Sequence, residues 1–175
     1  MKIQIIGYSG SGKSTLAKEL GRLYGIEVLH LDNTKFYGDW QERTAEEQAK
    51  LVDTFLKSHA SWVIDGNYTS VCPERFWLAD VIIFLNFNRL FCYRWAKKRY
   101  KENRGRARDS CPCEEKFDFA FRMWILYTGR TRKRRKRYRQ LLKRCPGKQY
   151  VFKSRRQVQS YLKELRQKLP SSNWV

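Results

Sequence analysis

The sequence predicts an α/β fold, a five-stranded parallel sheet flanked by helices, and three observations predict it. Apolar runs recur at Ile3–Ile6, Val28–Leu31, Trp62–Ile64, Val81–Leu85 and Tyr150–Phe152, with helical patterns between them. That alternation suits a parallel sheet covered on both faces. The first run enters a glycine-rich turn at once, and a helical pattern follows. Finally, the chain has 175 residues, 42% of them hydrophobic, enough for one core and too few for two ordinary domains. One domain over residues 1–175 is expected, with an insertion at about 34–60 and a basic loop at about 102–116.

Taken in order, the glycine-rich turn is Gly7-Tyr8-Ser9-Gly10-Ser11-Gly12-Lys13-Ser14, which fits G-x-x-x-x-G-K-[ST] at every required position. Thr15 to Leu20 continue as a helix, so the match has its strand-loop-helix context. Backbone N–H groups and the helix N-terminus can surround a triphosphate there. Lys13 reaches the β and γ phosphates in such a loop, and the Ser14 hydroxyl ligates Mg²⁺. The segment predicts binding of ATP or GTP.

Thr44–His59 carries a Thr cap and Glu47 at the capping-box position, predicting a helix inserted between the second and third strands. Leu90–Tyr100 is a further helical stretch. Residues 102–113 lose apolar periodicity and gain Gly, Pro and Arg, which predicts a mobile loop. Phe117–Leu142 reads as one helical stretch, aromatic at first and basic in its second half. A last strand and a Ser154-capped helix, Arg155–Leu169, complete the pattern.

Charge divides the chain. Residues 1–88 hold 9 Lys/Arg against 11 Asp/Glu, a net of −2, and residues 89–175 hold 28 against 6, a net of +22. The basic half is suited to anions, whether small phosphorylated molecules or nucleic acid. No stretch approaches eighteen consecutive apolar residues, so neither a membrane span nor a signal peptide is expected, and the setting expected is cytoplasmic. Cys72, Cys92, Cys111, Cys113 and Cys145 are odd in number and irregularly spaced, giving no disulfide framework. Cys111-Pro112-Cys113 has no second pair nearby to complete a zinc site.

The phosphate loop, Asp32 after the second strand, Asp65-Gly66 after the third and a basic loop between late helices together resemble the nucleoside-monophosphate-kinase-like P-loop kinases. More narrowly, His30-Leu31-Asp32, Trp62 to Tyr68, Ala79-Asp80, the Cys-x-x-Lys-x-Asp run from Cys113 to Asp118 and Arg122-x-Trp124 resemble DNA topology modulation proteins of the FlaR type. The resemblance spans nearly the whole chain and implies an adenylate-kinase-related fold with a lid and an acceptor-side helical insertion.

Asp65 ends a strand on the side where the phosphate loop emerges, a position for a carboxylate holding Mg²⁺; Asp-Gly also forms plain turns. By the resemblance, Asp32 approaches the acceptor and takes its proton if that acceptor is a hydroxyl, although Asp32-Asn33 also suits a turn cap. Arg104, Arg106 and Arg108 fit a closing lid that stabilises the moving phosphoryl group. The resemblance places Arg94 and Lys98 against adenine and phosphates, and Arg122 and Arg130 near the transferred group. Arg75 is expected to bind an acceptor phosphate, and Asn67 and Tyr68 the acceptor itself. The run 130–139 reads as a solvated face or a weak nucleic-acid contact.

These readings converge on an ATP- and Mg²⁺-dependent phosphotransferase with a small, anionic or nucleotide acceptor. An ATP-binding nucleic-acid-associated protein is the alternative. Acceptor identity and oligomeric state stay open at the level of sequence.

Overall fold

The computed structural model describes residues 1–107 and 109–169. Strands β1 (Lys2–Gly7), β2 (Glu27–His30), β3 (Trp62–Asp65), β4 (Val81–Leu85) and β5 (Lys148–Phe152) form one sheet in the order β2-β3-β1-β4-β5. Every pairing is parallel. The five-stranded parallel sheet expected from the apolar runs is present, with boundaries shifted by one or two residues. Leu31 is the instructive shift. It is apolar and fully buried, yet it opens the short helix α2 (Leu31–Lys35) instead of closing β2.

β1 lies at the sheet centre and is buried along almost its whole length, Gln4 included. A polar side chain there must find partners. The Gln4 amide donates to the carbonyls of Ile5 and Ile64, each at 3.1 Å, and its Oε1 accepts from Arg75 Nε at 2.9 Å. The core around this strand is Ile3, Ile5, Ile6, Leu20, Trp62, Ile64, Ile82 and Ile83.

Helix α1 (Lys13–Tyr24) follows β1 and ends on the left-handed Gly25. The insertion carries α3 (Ala45–Ser58), whose predicted capping box is formed: Thr44 Oγ1 accepts from Glu47 N at 3.2 Å and Glu47 Oε2 from Thr44 N at 2.9 Å. A single turn, α4 (Arg75–Leu78), precedes β4, and α5 (Arg89–Glu102) follows it, capped by Asn88.

The stretch read as one helix from Phe117 to Leu142 is broken. It forms α6 (Phe119–Leu126), a 3₁₀ turn at Thr128–Arg130 and α7 (Arg132–Arg144). Two features enforce the break. Gly129 packs so tightly that a Cβ would lie 2.6 Å from the Trp124 carbonyl oxygen. Arg130 then donates to the Ile125 carbonyl at 3.0 Å and the Phe87 carbonyl at 2.8 Å, stapling the end of α6 to the segment after β4. Helix α8 (Arg155–Lys168), with Ser154 as its cap, closes the order of elements. No helix among the described residues is long and apolar enough to cross a membrane.

The loop expected to be mobile is tethered at several points. Lys18 Nζ meets Asp109 Oδ2 at 2.6 Å, and Asn33 Nδ2 donates to the Asp109 carbonyl at 2.7 Å. Trp40 N donates to Cys113 Sγ at 3.3 Å and Trp40 Nε1 to the Glu114 carbonyl at 3.1 Å, while Arg99 pairs with Glu115 at 3.0 Å. Residues 109–116 form a strap over the insertion.

Candidate active site

The carboxyl ends of β1, β2 and β3 bring the phosphate loop, Asp32 and Asp65 to one edge of the sheet, the usual ligand side of such folds. Gly10 and Gly12 adopt φ of 78° and 89°. Gly10 needs this freedom and also the space, because a Cβ would sit 2.3 Å from the Cys92 carbonyl oxygen of α5. Gly12 caps α1 without any side-chain hydrogen bond, so the first N–H groups of that helix keep the character of an anion site.

One cavity of about 720 Å³ joins this loop to Phe36 and Trp40 of the insertion. Ser9, Gly10, Gly12, Lys13, Ser14 and Thr15 line it, as do Asp32, Asn67, Tyr68 and Lys98. Tyr68 OH donates to Asp32 Oδ1 at 2.8 Å, and burial together with the Asp32 charge pushes the Tyr68 hydroxyl far above its ordinary pKa. The phenol therefore stays protonated and holds the carboxylate in place. Asn67 lines the cavity and is also tied to the loop. Its Oδ1 accepts from Gly7 N at 2.9 Å and its Nδ2 donates to Gly7 O at 2.7 Å, fixing the strand-to-loop junction.

Other expected residues are placed differently. The Tyr8 side chain is buried against Phe84 and Tyr138, beneath the Arg130 guanidinium 3.7 Å from its ring centre, so Tyr8 and the equally buried Ser11 serve the loop through backbone. Arg75 is corrected outright. It is 0% exposed and donates to Gln4 Oε1, to the carbonyls of Cys72 and Tyr68 at 3.2 and 2.9 Å, and to the Val71 carbonyl. Burial pulls its guanidinium down to about 10, and it holds the fold without reaching an acceptor phosphate.

Arg122 bends back along its own helix, with Nε 3.3 Å from the Asp118 carbonyl, and does not line the cavity. Arg94, Arg104 and Arg106 are exposed and lie off the cavity wall, and Arg108 lies outside the described residues. On α5 the face that lines the cavity is Trp95, Lys98, Arg99 and Glu102, so Lys98 is on it and Arg94 is turned away.

Asp65 is 5% exposed and pairs with His30 Nδ1 at 2.7 Å across the β2–β3 register. The Ser14 hydroxyl lines the cavity, whereas the Asp65 carboxylate is buried on His30 and does not, so of the two hard oxygen donors Mg²⁺ takes, Ser14 is placed to ligate directly and Asp65 only through water. Among the described residues no cluster of three or more His, Cys, Asp or Glu could hold a metal by itself.

Several lining residues escaped the sequence reading. Arg134 and Arg137 belong to the run read as a solvated face, yet both line the cavity together with Tyr138. The signal was available, since Tyr138 and Leu142 are four apart and fix which side of α7 is inward, with Arg134 one turn earlier. Arg134 sits 4.4 Å over the ring of Trp124, whose Nε1 donates to Ser9 Oγ at 3.2 Å. Phe36 and Trp40, packed edge to face at 5.2 Å, line the cavity with Cys111.

A family model described as an AAA domain matches residues 3–117, well over half of the chain. No curated protein matches the sequence significantly. Among solved structures, a deoxyadenosine kinase from M. mycoides with products dCMP and a flexible dCDP bound is 17% identical, with 96% of this chain and 98% of that chain covered at a TM-score of 0.55. The same kinase with bound dATP gives the same figures. A shikimate kinase from Bacteroides thetaiotaomicron is 19% identical over 95% of this chain and 96% of that chain, at a TM-score of 0.49. The likeness to the deoxyadenosine kinase shows a shared fold, the five-stranded parallel sheet of a P-loop kinase.

Proposed function

The chain belongs to the AAA-domain family, and we propose that it works there as an ATP-dependent phosphotransferase acting on a small acceptor. One observation carries this reading: the phosphate loop and the Asp32–Tyr68 pair line a single cavity, so donor and acceptor can meet without solvent between them. ATP enters with its phosphates on residues 9–15 and with Lys13, Arg134 and Arg137 about its charge. Ser14 would ligate Mg²⁺ and Asp65 would hold it through water, and the metal would supply charge to neutralise the phosphates. The residues 109–116 strap covers the acceptor and keeps out water. The narrower resemblance to FlaR-type proteins, carried by Asp65-Gly66-Asn67-Tyr68 and Arg122-x-Trp124, belongs to the same proposal. ADP release from ATP and Mg²⁺ across a panel of acceptors tests it. The expected result is acceptor-dependent release that Lys13→Ala abolishes; release that ignores both acceptor and Lys13 contradicts it.

A second reading draws on the outer face of α7, where Arg132, Lys133, Arg135, Lys136 and Arg139 are exposed beside the cavity mouth. Such a face would bind polynucleotide through phosphates, with affinity falling steeply as salt is added. Affinity for DNA or RNA that hardly changes between low and moderate salt would count against it.

A further inference from the structure

Resting on the phosphotransferase reading, we propose that the acceptor is a neutral, ring-bearing alcohol, a nucleoside, and not a phosphorylated compound. Three features of the acceptor end point there.

The first is how that end of the chain uses its cations. Residues 31–80 contain five basic side chains, Lys35, Arg43, Lys50, Lys57 and Arg75, and none of these described residues lines the cavity. Lys35 is paired with Glu42 at 2.7 Å and Lys57 with Asp53 at 2.6 Å. Arg43 donates to the carbonyls of Asn33 and Phe36 at 2.9 and 2.6 Å, and Arg75 is wholly buried on Gln4 and backbone carbonyls. A second phosphate is best held by bidentate or clustered cations, and both arginines of residues 31–80 are committed to backbone carbonyls and Gln4. Among the described residues near Trp40, Lys116 from the strap lines the cavity, and it lies 5.0 Å over the Trp40 ring.

The second is Asp32. A phosphate acceptor is already ionised and needs no base, whereas a hydroxyl must lose a proton. Asp32 lines the cavity with one carboxylate oxygen oriented by Tyr68 OH. In the step that follows, the acceptor oxygen forms a bond to the γ phosphorus as the bond between that phosphorus and the β,γ-bridging oxygen breaks. ADP leaves with the electron pair, and the acceptor proton passes to the Asp32 carboxylate and then to water.

The third is the wall. Phe36 and Trp40, packed edge to face and clustered with Cys111, form an apolar, aromatic corner of the cavity against which a heterocyclic ring can pack, with Lys116 over Trp40.

The test compares nucleosides with their own 5′-monophosphates as acceptors, under Mg²⁺ and ATP, reading ADP and the phosphorylated product. Nucleosides should give kcat/KM above the matching monophosphates by roughly tenfold or more. Asp32→Asn, which keeps shape and still accepts from Tyr68, should lower the nucleoside-stimulated kcat on the order of 10²–10⁴-fold with ATP affinity retained. Monophosphates accepted in preference to nucleosides would overturn the acceptor class and leave the phosphotransferase reading standing. An Asp32→Asn variant as fast as the parent would overturn the proton transfer. No stimulation by any acceptor would overturn this inference together with the reading beneath it.

Discussion

His30 Nδ1 lies 2.7 Å from Asp65 Oδ2, with both side chains almost entirely buried and directly opposite each other in the β2–β3 ladder. His30 thereby fixes the orientation of the Asp65 carboxylate at the end of β3. Replacing His30 by Ala leaves a buried carboxylate short of a partner, at about 1–3 kcal/mol of stability. Urea unfolding should show that loss. His30→Asn, able to donate through its amide, should recover part of it, and equal loss in both variants would mean that the hydrogen bond is not the cause.

Arg75 should behave as a structural residue. Arg75→Ala strands Gln4 and three backbone carbonyls in the core and should cost about 2–4 kcal/mol, and Arg75→Lys should not restore it, because an ammonium cannot span the same acceptors. Thermal unfolding measures both. Wild-type stability with a raised acceptor KM would instead return Arg75 to the acceptor site.

Trp124 should report nucleotide binding. It touches the phosphate loop through Ser9 and lines the cavity, so ATP should change tryptophan emission, and Trp124→Phe should remove much of that change. The lost hydrogen bond should weaken ATP binding by about 0.5–1.5 kcal/mol.

The two faces of α7 should separate. Arg134→Ala with Arg137→Ala should weaken ATP binding, whereas Arg132→Ala with Lys136→Ala should leave it nearly unchanged, as should Arg104→Ala with Arg106→Ala. Titration calorimetry at one salt concentration makes the comparison. Equal weakening by all three pairs would mean that bulk charge, not position, holds the nucleotide.

Cys111 should be slow to alkylate. Burial pushes its thiol up to about 11, so the reactive thiolate is scarce at neutral pH. The raised value also means that its contribution to stability is complete below the ordinary thiol range near 8.5 and fades as pH rises towards 11. Labelling read by mass spectrometry should stay slow at pH 8 and quicken at higher pH; rapid labelling at pH 7 would contradict the burial.

Much of this was legible in the residues. Apolar runs gave the parallel sheet, and the G-x-x-x-x-G-K-S spacing gave the loop because its backbone geometry demands those residue types. Thr44 and Glu47 announced their capping box since both partners lie within one helical turn. Long-range partners were not legible. Nothing near Arg75 in the chain signals that Gln4, seventy-one residues earlier, waits for it in the core. The tie of Asn67 to Gly7 spans sixty residues and is equally unsignalled. The basic run concealed Arg134 and Arg137 because abundance of charge hides the two residues whose inward side is set by Tyr138.

Transfer of label from [γ-³²P]ATP tests the central claim most directly. The account predicts label on a small acceptor, dependent on Mg²⁺ and absent in Lys13→Ala. Label appearing only as inorganic phosphate, at a rate no acceptor changes, would contradict it.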